Sequence, residues 1–293
     1  MSKAKLLVRS LGFDDDQKLL MIHADDAGLS HSENQATIDA LKRGLINSYS
    51  IMVPCPWFYE IAEFAVKNPN FDHGIHLTLT CEWSSYKFGP VLSQKEVSSL
   101  VDHQGYFFKS RQEVLDKAKP EEIRKELCAQ IDRAFSFGLQ PSHLDSHMYT
   151  LGASSEFLNL YREIGSLYRL PVMLNSKLIT EVSGSKTIEP PLENEVMIDH
   201  LYLGNINDFE NGTLSAYYAN ILKELQPGLN MVLIHTAYDD HEMRAITRNH
   251  PNFGAAWRQI DLDFFTSDQC EELLKEQRVQ MVSWKEIKNM IYP

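Results

Sequence analysis

The sequence predicts an α/β fold in which a mostly parallel sheet of seven or eight strands closes into a deformed β/α barrel of the TIM type. Two observations carry that expectation. Short apolar, β-rich runs alternate along the chain with segments of helical periodicity, the order that lays parallel strands side by side. The 293 residues also contain no obvious linker, and single α/β barrels commonly run to about 250 residues. Residues 1–293 are therefore read as one barrel domain with an N-terminal extension over 1–17.

The elements follow in order. Residues 19–23 form an apolar run, and after Gly28 the stretch Ser32-Glu33-Asn34-Gln35 carries a capping-box pattern that opens a helix. Gly44 ends that helix by supplying a left-handed position. Residues 49–53 are strand-like and closed by Pro54 and Pro56, and residues 57–66 return to helical spacing. Residues 74–80 alternate. Pro120 with Glu121 and Glu122 starts a helix whose Ile123, Leu127, Ile131, Ala134 and Phe135 share a face, and Gly138 ends it. Residues 143–145 make the next strand end. Further strands are expected at 172–174, 198–203, 231–235 and 279–282, separated by helices at 156–167, 214–225 and 270–277. Residues 82–119 and 175–195 read as long loops, of the kind that act as lids or binding loops.

Composition narrows the function. With 28 Lys and Arg against 40 Asp and Glu the net charge is −12, which opposes binding to nucleic acid and to anionic membrane surfaces. No stretch approaches the roughly 20 apolar residues of a membrane span. The N-terminal segment offers short apolar pieces and then an acidic Asp14-Asp15-Asp16 run, so it is read as retained and the protein as cytoplasmic. The four cysteines lie far apart with no Cys-x-x-Cys pair, which suits reduced thiols.

Polar residues recur where the strands end. The first strand runs into Asp25 and Asp26, two carboxylates at the end of a strand where barrel enzymes keep their reactive groups. Taken alone, such a pair reads as an acidic loop beside a helix N-terminus. His76 sits inside an apolar run, where an imidazole needs a partner or a ligand to offset its burial. The cluster His143-Leu144-Asp145-Ser146-His147 brings two more imidazoles and a carboxylate to another strand end, and residues 231–235 end on His235. Unrelated buried polar groups would each need a separate partner. One Asp with two His forms a mixed oxygen and nitrogen set that suits zinc, manganese, iron, cobalt or nickel and leaves positions open for water and substrate.

On the pieces His23-Ala24-Asp25-Asp26-Ala27-Gly28-Leu29-Ser30, Gly74-Ile75-His76-Leu77-Thr78-Leu79-Thr80 and His143-Leu144-Asp145-Ser146-His147, the chain resembles the YdjC-like carbohydrate deacetylases, which include the chitooligosaccharide deacetylases. The resemblance runs from about Leu19 to Pro293. It implies a deformed β/α barrel, often a homodimer, holding one divalent metal ion, usually magnesium, on Asp26, His76 and His147. It further implies hydrolysis of the N-acetyl group of an acetylated sugar, with Asp25 as the base and His235, as imidazolium, the acid that protonates the leaving amine. His143 and Asp145 are expected to orient His147. Arg244, Arg248 and Arg258 follow His235 and either touch substrate, tune Asp25 or lie on the solvated surface. Family members often carry Asn at the position of His23, Phe at Ala27 and Pro at Thr236. The competing readings are a barrel hydrolase of another ester or phosphoester and a metal-bearing carbohydrate-binding protein without turnover.

Overall fold

β1 (Lys18–Ala27) is buried along almost its whole length, as expected of a strand covered on both faces in a parallel sheet. The computed structural model describes residues 8–185, 190–192 and 195–293; the beginning of the expected extension and parts of the 175–195 segment lie outside them. β1 is the hub. It pairs in parallel with β6 (Gly228–Ile234) over Lys18 to Ala24, with β2 (Ser48–Ile51) at its C-terminal half and with β7 (Gln280–Met281) at Leu19 and Leu20.

Among the described residues the sheet has seven strands in the order β4-β3-β2-β1-β6-β5, with β7 beside β1, where β3 is His73–Leu77, β4 Leu144–Ser146 and β5 His200–Leu203. Every strand pairing in it is parallel. Isolated parallel bridges, Leu144 to Val172 and Leu174 to Met197, carry the pairing from β4 towards the approach to β5, so the sheet curls round as a deformed barrel. The expected strand over 172–174 is realised only as those bridges.

Helices cover the outside. The first, His31–Arg43, ends on Gly44 at φ 87° as expected, but its N-cap is Ser30, whose hydroxyl accepts from Glu33 N, and not Ser32. Ser32 is drawn off by other partners, donating its hydroxyl towards Asp240 and Glu242. Helix Phe58–Lys67 and helix Pro120–Ser136 match expectation, the second ended by Gly138 at φ 89°. Ser155–Tyr168, Leu214–Lys223 and Asp268–Glu276 fill the other expected helical positions. The long segments are partly ordered: Arg111–Lys117 and Ser176–Ser183 are helical. Helix Ala255–Phe265 has no counterpart in the sequence reading.

Candidate metal centre at the barrel mouth

A regular strand would send Asp25 and Asp26 to opposite faces. Here β1 is irregular between Ala24 and Ala27, and Asp26 adopts φ 68°, in the left-handed region that non-glycine residues enter seldom, aspartate and asparagine more than most, and that recurs at functional sites. The bulge turns both carboxylates towards the same point: His235 Nε2 stands 4.0 Å from Asp25 Oδ2 and 3.9 Å from Asp26 Oδ2.

Asp26 Oδ1 also faces His76 Nε2 at 3.3 Å and His147 Nδ1 at 3.1 Å. The three residues, all buried, offer ligand atoms within 4.8 Å of one another. β3 supplies His76 inside the barrel, and His147 follows directly on β4, where Met148 and Tyr149 turn the chain through left-handed conformations. Each imidazole has its other nitrogen on a carboxylate: His76 Nδ1 lies 2.8 Å from Asp145 Oδ1, and His147 Nε2 lies 3.0 Å from Glu82 Oε2. Such partners fix which nitrogen carries the proton and leave the inner one as a donor to a cation.

The electrostatics favour a positive charge. Burial alone would lower His147, but the carboxylates of Glu82 and Asp26 outweigh it and raise the imidazole to about 9. His76 is likewise raised well above its ordinary range against burial, by Asp145 and Asp25 above all. Asp26 is held well below the usual carboxylate range because His147 and Arg258 overcome the burial that would raise it. Hard and borderline donors converge in a field that attracts cations, so the residues present fit a divalent metal ion.

The far side of the mouth is built differently. Helix Ala255–Phe265 brings Arg258 Nη2 to 2.8 Å from Asp26 Oδ2, while Nη1 pairs with Glu33. Arg258 is 1% exposed, which removes the solvated reading, and its carboxylate partners are Asp26 and Glu33 rather than Asp25. Arg244 pairs with Asp239 at the surface. Asp261, on the same helix, accepts from His235 N at 3.0 Å and from Tyr218 Oη at 2.6 Å. His235 packs on Phe253 with ring centroids 4.7 Å apart, and its Nδ1 has no partner among the described residues. Burial pulls His235 down to about 4, only partly countered by Asp26. The expected resting imidazolium is therefore a neutral imidazole.

Asp25, Asp26, His76, His147, His235 and Arg258 line a cavity of about 430 Å³ together with Trp83, Arg111, Met148, Glu181 and Phe253. The size suits a sugar-sized ligand. Both long segments, 82–119 and 175–195, contribute to its lining.

The expected roles of His143 and Asp145 change. Asp145 serves His76 and His23, and His143 sits below, with Nδ1 2.8 Å from Ser142 Oγ and its ring stacked on Trp284 at 4.9 Å. Neither orients His147, because that nitrogen is taken by Glu82. Glu82 escaped the sequence reading because it opens a segment with no periodicity, and Glu33 and Asp261 because charged residues on helices ordinarily face solvent.

Fold and site together define a β/α-barrel protein with buried carboxylates and imidazoles, able to hold a metal ion, gathered at the C-terminal ends of its strands. The chain belongs to the YdjC-like protein family, which it matches over residues 19–276. A carbohydrate deacetylase of Thermoanaerobacter pseudethanolicus is 27% identical over 92% of this chain and 100% of its own. A chitooligosaccharide deacetylase of Yersinia enterocolitica is 35% identical over 45% of this chain and 49% of its own. A solved structure from Enterococcus faecalis V583, of a protein proposed to cleave cellobiose phosphate, superposes with a TM-score of 0.73 at 24% identity, covering 92% of this chain and 98% of that one, and shows the same fold.

Proposed function

We propose that this chain is a metal-dependent carbohydrate deacetylase that hydrolyses the N-acetyl group of an acetylated mono- or oligosaccharide. The observation that carries the reading is the convergence of Asp26, His76 and His147 beside the carboxylate of Asp25 inside one sugar-sized cavity. The deacetylase names of the relatives supply the substrate class.

A divalent cation held by Asp26, His76 and His147 would polarise the acetyl carbonyl and acidify a bound water. Asp25 takes the proton of the attacking water. The leaving nitrogen needs a proton, and His235 is neutral at rest. Asp25 is then the source of that proton, and His235, 4.0 Å away, passes it on. Arg258 and Glu33 hold the outer oxygen of Asp26 so that its inner oxygen stays turned to the cation. Trp83, Phe253 and Met148 wall the site and keep bulk water from it.

Magnesium is the metal that the resemblance implies, whereas one carboxylate with two imidazoles suits zinc or another transition metal. Elemental analysis of purified protein decides between them. A homodimer and a cytoplasmic location belong to the same reading and are checked by light scattering and by fractionation. Among the described residues no helix is long and apolar enough to cross a membrane.

The test is a mass-spectrometric screen of chelated and metal-reloaded protein against N- and O-acetylated sugars. Acetyl loss from N-acetylated sugars only after reloading is the expected result. Turnover of phosphoesters in its place would make the chain a different hydrolase, and metal and sugar binding without turnover would make it a binding protein.

A further inference from the structure

Below the floor of the cavity, His23 is 1% exposed and occupies the point where the two halves of the site meet. Its Nε2 lies 2.9 Å from Asp145 Oδ2 and 3.1 Å from Asp25 Oδ1. Its Nδ1 lies 2.8 Å from Ser48 Oγ, and its ring packs edge-on against His143 at 5.1 Å. Ser50 Oγ closes the ring of contacts, at 3.2 Å from His23 Nε2, 3.1 Å from His76 Nδ1 and 3.5 Å from Asp25 Oδ1.

We propose that His23 is a positioning residue for Asp25: one N–H, shared between Asp25 and Asp145, ties the carboxylate that accepts the water proton to the carboxylate that orients His76. The inference rests on the reading of Asp25 as that proton acceptor. Asp25 has a bulged backbone and, among the described residues, no arginine or lysine partner, since Arg258 is committed to Asp26 and Glu33. Without a donor from below, its Oδ1 would be held only by the long contact from Ser50. Ser48 fixes the imidazole from behind, so that Nε2 and not Nδ1 faces the site. Asp145 then couples the two groups, because its second oxygen sits on His76 Nδ1 at 2.8 Å. The amide of an asparagine at this position would stand near where Nδ1 is and fall short of the two carboxylates. The amide of a glutamine reaches the place of Nε2.

The experiment compares metal-loaded wild type, His23→Leu, His23→Gln, Ser48→Ala and Asp25→Asn, reading kcat and KM on an N-acetylated sugar together with metal content and melting temperature. His23→Leu is expected to lower kcat by about tenfold or more with KM and metal content little changed, and His23→Gln to restore most of the loss. Ser48→Ala, which frees the ring without removing it, is expected to lower kcat by about threefold and decides the matter if His23→Leu does not fold. The proposal is overturned if His23→Leu keeps the wild-type kcat, if His23→Gln falls as far as His23→Leu, or if Ser48→Ala is unchanged where the leucine variant is unfolded. Wild type and Asp25→Asn separate the levels: no acetyl release by metal-loaded wild type would remove the proposed function, retained activity in Asp25→Asn would remove Asp25 as proton acceptor and the role of His23 with it, and loss in Asp25→Asn beside unchanged His23 and Ser48 variants would remove only the role of His23.

Discussion

Both ends of the barrel bury histidines and aspartates, yet the two ends are different kinds of structure. At the mouth, Asp25, Asp26, His76, His147 and His235 border one cavity, and the first carboxylates and imidazoles share partners. At the base, Asp72, His73 and His143 share Ser142 and Trp284 as neighbours but line no part of that cavity: Ser142 Oγ contacts His73 O and His143 Nδ1, Asp72 accepts from Trp284 N, His73 packs near Tyr49 and His143 stacks on Trp284. His73 Nε2 and His143 Nε2 have no partner among the described residues. β3 shows the contrast within three residues, for carboxylates drive His76 up while burial drives His73 down to about 4. A buried imidazole is thus no sign of a site. Convergence on a shared point is.

The most severe way to break the comparison is to remove one function of the mouth while sparing the rest. Asp25→Asn is expected to keep the metal and lower kcat by about a thousandfold, while Asp26→Asn loses the metal itself. Metal content measured beside turnover separates them. Equal metal loss in both would mean that the bulge presents two ligands and no base.

His235 differs from the ligands in having no partner on its outer nitrogen. It is held by its backbone on Asp261 and by Phe253, so a change of protonation there leaves no carboxylate unsatisfied. His235→Ala is expected to retain metal and slow amide cleavage by about a hundredfold, with a much smaller effect on an activated acetyl ester whose leaving group needs little protonation. Parallel slowing of both substrates would give His235 a binding role.

Much of this was legible in the sequence, and what was hidden has physical reasons. Apolar β-rich runs announced β1, β3 and β6, which carry or lead into Asp25, Asp26, His76 and His235, and the 143–147 cluster announced β4 with His147 after it. The bulge at Asp26 was not legible, since no periodicity records a left-handed residue inside a strand. His143 was misplaced because spacing within a strand tells which face a side chain takes but not how deep along the barrel it lies. Helix Ala255–Phe265 was missed because its buried face carries Arg258 and Asp261 among apolar residues, which breaks the apolar stripe that identifies a helix. Glu82 had no signal at all.

That unforeseen carboxylate gives a milder test. Glu82→Gln keeps an acceptor for His147 but removes the charge, and is expected to weaken metal affinity by about tenfold or more while kcat at saturating metal changes little. A competition titration with a chelating dye reads it. Unchanged affinity would show that Asp26 alone sets the ring of His147.

The smallest expected effect leaves turnover untouched and appears only in stability, where imidazoles lowered by burial and imidazoles raised by carboxylates carry opposite signs. At the base, His73 at about 4 lies below its ordinary 6.5. The unfolded chain therefore takes up a proton that the fold resists, and the stability contributed by the neutral imidazole is present above about pH 6.5 and lost as pH falls towards 4. At the mouth of the metal-free protein, His147 and His23 at about 9 lie above 6.5. Burial opposes both, but Glu82 with Asp26 in the one case and Asp145 with Asp25 in the other prevail. Their contribution is complete below about pH 6.5 and is lost as pH rises through 9. Chelated protein unfolded in denaturant across this range is thus expected to be most stable near neutrality. A bound cation takes over the role of the proton on His147, so reloading with metal flattens the alkaline arm and leaves the acidic arm in place. His73→Phe is expected to do the reverse, softening the acidic arm alone. An alkaline arm that metal does not alter would mean that the cation sits elsewhere than between Asp26, His76 and His147, and an acidic arm indifferent to His73 would place acid sensitivity in the other burial-lowered imidazoles, His143 and His235, or in the paired carboxylates of the mouth.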